Sequence, residues 1–208
     1  MDEQRRHPIG GQMSDITGGL IRRFRLKPLE NRHDTTVVLG AFALVNGFIS
    51  IGIMAAAALA TGQPFIFPSL GPTAFLLFYT PLLASASPRN TVAGHLIGVI
   101  AGYLALVLFG LVTAGVAMQE GVTPARVLAA AFSLGVTSGV MVWLHVPHPP
   151  AGATTLIVSL GIITKPPQLA VLMLAVLLIV GQAIVINRLA GVNYPLWSPA
   201  GSSKKPPT

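Results

Sequence analysis

The chain has 208 residues, of which 52% are hydrophobic and 9% charged; it contains no cysteine and carries a formal net charge of +7. A soluble domain carries roughly 25% charged residues, so this composition excludes an ordinary soluble protein and indicates one that spans a membrane several times. The lack of cysteine excludes disulfide frameworks and thiolate metal sites. The basic residues flank apolar blocks, as membrane topology signals do, and this placement argues against a nucleic-acid partner.

The two ends of the chain are polar. Residues 1–35 hold seven of the thirteen Lys and Arg residues, whereas only Arg89, Arg126 and Lys165 occur between positions 35 and 187. Residues 1–35 and 191–208 therefore predict cytoplasmic tails around a transmembrane domain at 36–190, in a multi-pass protein of the plasma membrane. The segment 20–27 either lies on an anionic membrane surface or is part of a disordered basic tail.

Four apolar segments are long enough to cross a bilayer. They cover residues 37–60, 92–117, 127–144 and 169–186, each with at least 18 residues. An α-helix rises about 1.5 Å per residue and the hydrocarbon layer is roughly 30 Å thick, so each segment predicts a transmembrane helix. The predicted fold class is an all-α integral membrane protein.

Two shorter apolar runs, 70–78 and 151–163, each follow a proline-rich segment, 63–68 and 145–150. Proline disfavours a helix in such a segment, and each run alone is too short to cross the bilayer. The two runs align at an offset of 81 residues and share the pattern P-x-x-G-x-T-x, followed by three apolar residues. The chain therefore predicts two repeats, about 36–117 and 125–190, each built as long helix, broken half-helix, long helix.

A half-helix that begins inside the membrane exposes backbone N–H groups and the positive end of its dipole, which together favour a small anion. Two such ends near the midplane can hold one anion without a basic side chain. The alternative is that the prolines and glycines merely kink two ordinary helices. The predicted substrate contacts are Gly71, Pro72, Thr73, His148, Pro149, Pro150, Gly152, Ala153 and Thr154.

The sequence leaves the topology open. If both broken elements cross the bilayer, there are six crossings and the second half is inverted relative to the first, an arrangement that we favour. If both are re-entrant, there are four crossings. Glu120 distinguishes the two, because it lies outside in the first case and inside in the second.

Small residues recur at four-residue spacing in two long helices, at Gly94, Gly98 and Gly102 and again at Ala131, Gly135 and Gly139. Such faces pack closely within one subunit or between two. Four long helices form a thin wall around a pathway, so we expect a homo-oligomer.

Three histidines lie near the membrane elements. His95 and His148 are candidates for a proton relay or a gate. Together with His145 they are also candidate ligands of a metal ion. The third interpretation is that these histidines form hydrogen bonds to backbone groups that the broken helices leave unpaired. The membrane region contains no catalytic triad, carboxylate pair or phosphate loop, so we expect neither an enzyme nor a cofactor.

Two motifs resemble the HPP family of integral membrane proteins. The first is His148-Pro149-Pro150-Ala151-Gly152-Ala153-Thr154; the second comprises Gly71-x-Thr73-Ala74, Ser87-Pro88-Arg89-Asn90 and Gly94-His95. The resemblance covers about residues 35–190 and implies a multi-spanning protein. Chloroplast and cyanobacterial members are associated with nitrite transport, so it also implies nitrite as the substrate, without separating it from nitrate, formate or bicarbonate. The alternatives are a histidine metal-binding membrane protein or enzyme and a non-transporting scaffold.

Overall fold

The computed structural model describes residues 26–199, which form helices and connecting loops without strands. Residues 1–25 and 200–208, including most of the segment 20–27, lie outside the described part. In chain order the helices are α1 (Leu26–Glu30), α2 (Thr35–Thr61), α3 (Leu70–Tyr79), α4 (Pro88–Leu108), α5 (Ala117–Glu120), α6 (Pro124–Trp143), α7 (Ala151–Ser159) and α8 (Pro166–Leu189), with a 3₁₀ turn at Ala84–Ala86.

The order of long and short helices confirms the predicted repeat. Helices α2, α4, α6 and α8 are long and apolar enough to cross a membrane, whereas α3 and α7 have only ten and nine residues. The two half-helices therefore span about 15 and 13 Å, half of the hydrocarbon layer. The first half of the fold is α2, α3 and α4, and the second half is α6, α7 and α8.

Helix α4 differs most from its predicted extent of 92–117. It begins at Pro88 and ends at Leu108, after which Gly110 adopts a φ of 67° and the chain turns toward the separate helix α5. Three of the long helices, α4, α6 and α8, begin with proline. Proline fits the first position because its fixed φ is already helical and its missing N–H has no partner there.

One end of the molecule gathers residues 26–34, 80–89 and 190–199, and we call it the terminal end. The Leu26 N–H donates to the Ala190 carbonyl at 2.9 Å, and the Arg89 N–H donates to the Trp197 carbonyl at 3.0 Å. Helix α4 therefore begins, and helix α8 ends, at the terminal end.

The opposite end gathers residues 109–126 and 159–165, and we call it the loop end. The Ala117 N–H donates to the Leu160 carbonyl at 3.0 Å, and the Arg126 guanidinium donates to the Ser159 carbonyl at 3.0 Å. Helix α4 ends at the loop end, as does α7, whereas α6 begins there.

The two half-helices run in opposite directions from the middle of the fold. Helix α3 proceeds from Thr73, which contacts His95 in the interior of α4, toward Leu77, whose carbonyl accepts from Asn187 Nδ2 at 3.0 Å near the terminal end. Helix α7 proceeds from Ala151 toward the loop end. Their amino-terminal ends therefore face each other in the interior.

The glycine stripe of α4 packs within the chain, which settles one choice that the sequence left open. A Cβ placed on Gly94 would lie 2.7 Å from the Cβ of His148, and one on Gly102 would lie 2.7 Å from the Cβ of Val158. Helix α7 thus packs, along the length of α7, against the glycine face of α4. Each half-helix also packs on a long helix of the other half, α3 on α8 and α7 on α4.

The second small-residue stripe does not share this arrangement. A Cβ on Gly135 would meet no atom of residues 26–199 within 4 Å, and the atoms nearest to one on Gly139 would belong to Trp143 of the same helix. The stripe is therefore not used for packing between the helices described. The predicted homo-oligomer stays a prediction.

Candidate functional site

Two histidines meet in the interior between the half-helices. The Nε2 atoms of His95 and His148 lie 3.2 Å apart, and the ring centroids lie 4.9 Å apart at an interplanar angle of 57°. Both side chains are 0% exposed. We call them the histidine pair.

The position of His148 depends on a reversal of the chain after α6. His145 adopts a left-handed φ of 54°, and the Val146 N–H donates back to the Met141 carbonyl at 2.9 Å. The prolines on both sides of His148 then keep helix α7 from starting before Ala151. His148 is admitted to the interior because Gly94, which faces it, has no side chain.

Thr73 of α3 contacts both rings. Its Oγ1 lies 2.9 Å from Nε2 of His95 and 3.3 Å from Nε2 of His148. The same hydroxyl lies 2.9 Å from the carbonyl of Ser69, to which it donates. Helix α3 therefore contributes a buried hydroxyl that is directed at the pair from its first turn.

Thr154 of α7 contacts His95 from the other side. Its Oγ1 lies 2.7 Å from Nδ1 of His95. Thr73 and Thr154 are the threonines that the repeat aligns at an offset of 81 residues. The imidazole of His95 thus links equivalent positions in the two half-helices.

A backbone carbonyl completes the cluster. Nδ1 of His148 lies 2.7 Å from the carbonyl oxygen of Ser85 in the 3₁₀ turn, and the neighbouring Ala86 carbonyl accepts from the Tyr194 hydroxyl at 2.6 Å. The turn therefore connects the histidine pair to the segment that follows α8. Neither Ser85 nor Tyr194 was predicted to serve the site.

Most backbone donors at the start of α7 already have acceptors. The N–H groups of Ala151, Gly152 and Ala153 donate at 3.0 Å to the carbonyls of residues 148–150. The N–H groups of Thr73 and Thr154 make longer bonds of 3.4 Å to the carbonyls of Ser69 and Pro150. The two equivalent threonine amides thus make the longest of these bonds.

The other predicted contacts differ in burial. Gly71, Pro72 and Pro149 are exposed, Gly152 and Ala153 are half-buried, and Pro150 is buried. A Cβ on Gly152 would lie 3.3 Å from Leu134 of α6, so this glycine faces that helix. Of the predicted residues, the structure joins Thr73, His95, His148 and Thr154 by side-chain hydrogen bonds.

His145 lies apart from the pair on an exposed position. Within residues 26–199, no group of three or more His, Cys, Asp or Glu side chains is arranged to hold a metal ion. The three-histidine metal site considered from the sequence is therefore not assembled by these residues.

Arg126 is the one arginine or lysine buried in residues 26–199, with 3% exposure. Its guanidinium donates to the carbonyls of Ser159, Ala114 and Gly115 at the loop end. A cation at the carboxyl end of α7 complements the helix dipole. The sequence indicated only a loop charge at Arg126. The carbonyl groups that it binds belong to the backbone, so no pattern of side chains in the sequence reveals them.

The model of the family described as HPP, transmembrane region, matches residues 32–195. No curated protein and no solved structure matches the chain.

Proposed function

Because the chain belongs to this family of membrane proteins, the HPP transmembrane family, we propose that it carries a small monovalent anion across the bilayer past the histidine pair. The expected substrate is nitrite, from the resemblance of its motifs to those of members associated with nitrite transport. The protein is expected to act without a catalytic step.

One observation carries this proposal, the junction of the two half-helices at His95. Thr73 and Thr154, from the first turns of oppositely directed helices, lie 2.9 and 2.7 Å from its ring nitrogens. Helix amino-terminal ends and imidazole N–H groups favour an anion over a cation, and a hydroxyl can donate a hydrogen bond to an anion. A substrate that replaces one of these internal hydrogen bonds would contact both halves of the fold at once.

The burial of the pair favours a transporter over an open channel. A continuous pore would expose the groups that line it, yet both histidines have no exposed surface. Access then requires the half-helices to move relative to the long helices. Inverted repeats provide such alternating access in many transporters.

The directions of the helices favour six crossings with inverted halves. Helix α4 begins at the terminal end and α6 at the loop end, so corresponding helices of the two halves run oppositely. Lys27, Arg32, Arg89 and Arg188 lie toward the terminal end, compared with Arg126 and Lys165 at the loop end. By the positive-inside rule, this distribution supports a cytoplasmic terminal end and cytoplasmic tails.

The experiment is uptake of nitrite by proteoliposomes at mildly alkaline pH, where nitrite is almost wholly ionised, with protein-free vesicles as the background. Wild type should show saturable uptake, and His95→Phe, which removes both ring nitrogens, should abolish it. Nitrate, formate and bicarbonate, tested as competitors, define the preference. Wild-type uptake equal to that of empty vesicles for every anion would contradict the proposal and favour a scaffold.

A further inference from the structure

The acceptors around the histidine pair determine where its hydrogens lie. The Ser85 carbonyl, 2.7 Å from Nδ1 of His148, can only accept, so this nitrogen carries a hydrogen. In a neutral imidazole the other nitrogen then has none. Nε2 of His148 is therefore an acceptor.

Thr73 determines in the same way which ring nitrogen of His95 carries a hydrogen. Its hydroxyl donates to the Ser69 carbonyl, so its oxygen accepts from an N–H at Nε2 of His95, 2.9 Å away. Nδ1 of His95 is then the acceptor for the Thr154 hydroxyl at 2.7 Å. With both rings neutral, every polar hydrogen of the four side chains has an acceptor.

One ring nitrogen of the cluster accepts no hydrogen bond from a hydroxyl group, so it can take up a proton without breaking one. This is Nε2 of His148, which faces Nε2 of His95 at 3.2 Å. Protonation there would direct two N–H groups at each other and would leave the new one with the Thr73 oxygen at 3.3 Å, which already accepts from His95. A positive charge would also be buried among apolar helices. A monovalent anion at the pair supplies the acceptor and compensates the charge, so the proton and the anion each strengthen the binding of the other.

We infer that the protein carries its anion together with one proton, which Nε2 of His148 takes up. This inference rests on the proposed function. The N–H bond forms with a proton from water on the side where the anion enters, and it breaks on the side where the anion leaves. One cycle moves one anion and one proton in the same direction and no net charge.

The surrounding elements offer no competing group. The other ionisable side chains on α3, α4 and α6 are Tyr79, Arg89, Tyr103 and Arg126, and α7 has none. Within residues 26–199, none of the four forms a hydrogen bond with either imidazole. Arg126 is engaged at the far end of α7.

The test measures proton and nitrite movement together in proteoliposomes that contain a pH-sensitive dye. The membrane potential is held at zero with potassium and valinomycin, and the passage of nitrous acid through protein-free vesicles is subtracted. We expect one proton per nitrite and accumulation of nitrite in vesicles with an alkaline interior. Protein-dependent nitrite flux without proton movement would overturn this inference alone, whereas no protein-dependent flux would overturn the proposed function with it.

Two variants assign the proton to its residue. His148→Gln keeps an amide near the position of Nε2 but cannot be protonated, so any remaining nitrite flux should lose its proton movement. His145→Gln is the matched control, because His145 is exposed and lies off the pair, and it should keep the wild-type ratio. A wild-type proton-to-nitrite ratio in His148→Gln would overturn the assignment.

A binding measurement needs no variant. Nitrite added to the detergent-solubilised wild type in weak buffer should cause uptake of one proton per protein. Binding of nitrite without proton uptake would overturn the inference, as would one equivalent of zinc or another transition metal in the purified protein, because a metal ion would occupy the Nε2 lone pair.

Discussion

Gly98 of α4 faces the backbone of Ala151 in the first turn of α7, and a Cβ on Gly98 would lie 2.7 Å from the Ala151 carbonyl oxygen. Real Cβ atoms do not come this close to a backbone oxygen, so any side chain at position 98 must displace α7. The same helix carries Thr154, which binds His95. Close packing at Gly98 and the geometry of the site are therefore coupled.

Gly98→Ala should accordingly lower the free energy of unfolding by about 1–3 kcal/mol, the usual cost of overpacking. Thermal unfolding of the purified protein in detergent measures the change. Gly52→Ala is the matched control, because a Cβ on Gly52 of α2 meets no described atom within 4 Å. Equal melting temperatures for the two variants would contradict the close approach of α4 and α7.

The topology can be tested with single cysteines, since the chain has none of its own. Glu120 lies at the loop end and Asn193 at the terminal end, and both are exposed. With six crossings and cytoplasmic tails, an impermeant thiol reagent should label Glu120→Cys in intact cells and Asn193→Cys only after permeabilisation. Labelling of both positions from the same side would favour four crossings.

The sequence predicted the elements of the fold better than their limits. Apolar length gave four long helices, and the offset repeat gave two half-helices, because bilayer thickness and broken backbone both leave strong patterns. The starts of α4, α6 and α8 were placed three to four residues late. The predicted limits followed the apolar residues, whereas each of these helices begins at a proline, which favours the first position of a helix.

The sequence singled out those residues of the histidine cluster that carry chemistry in their side chains. Thr73, Thr154, His95 and His148 were identified from the repeat and from the rarity of ionisable groups in the membrane. The role of Ser85 could not be predicted, because its carbonyl oxygen, which every residue has, is what holds His148. The sequence also could not show that the first-turn N–H groups of α7 already have carbonyl acceptors, because this depends on backbone geometry.

Removal of the Thr73 hydroxyl should impair transport more than stability. In Thr73→Val the shape is kept, but Nε2–H of His95 loses its acceptor at 2.9 Å. We expect the rate of nitrite uptake to fall about tenfold, which corresponds to about 1.4 kcal/mol. Proteoliposome flux measures it.

Thr137→Val on α6 serves as the control for that substitution. Thr137 is buried, and its hydroxyl has no hydrogen-bond partner within residues 26–199. The same change of side chain should therefore leave uptake near the wild-type rate. A Thr73→Val protein that transports as well as Thr137→Val would show that the Thr73 hydroxyl does not serve the anion path.

Tyr194 should make stability depend on pH in the alkaline range. Burial raises the pKa of its phenol, which donates to the Ala86 carbonyl, so the folded protein retains this proton more tightly than the unfolded chain does. Stability from this group is fully present below the unfolded pKa of about 10 and is lost as the pH rises above it. Melting temperatures of wild type should therefore fall more steeply above that pH than those of Tyr194→Phe. At neutral pH the variant should lose about 1 kcal/mol for the missing hydrogen bond, and parallel pH curves for the two proteins would contradict a buried, protonated Tyr194.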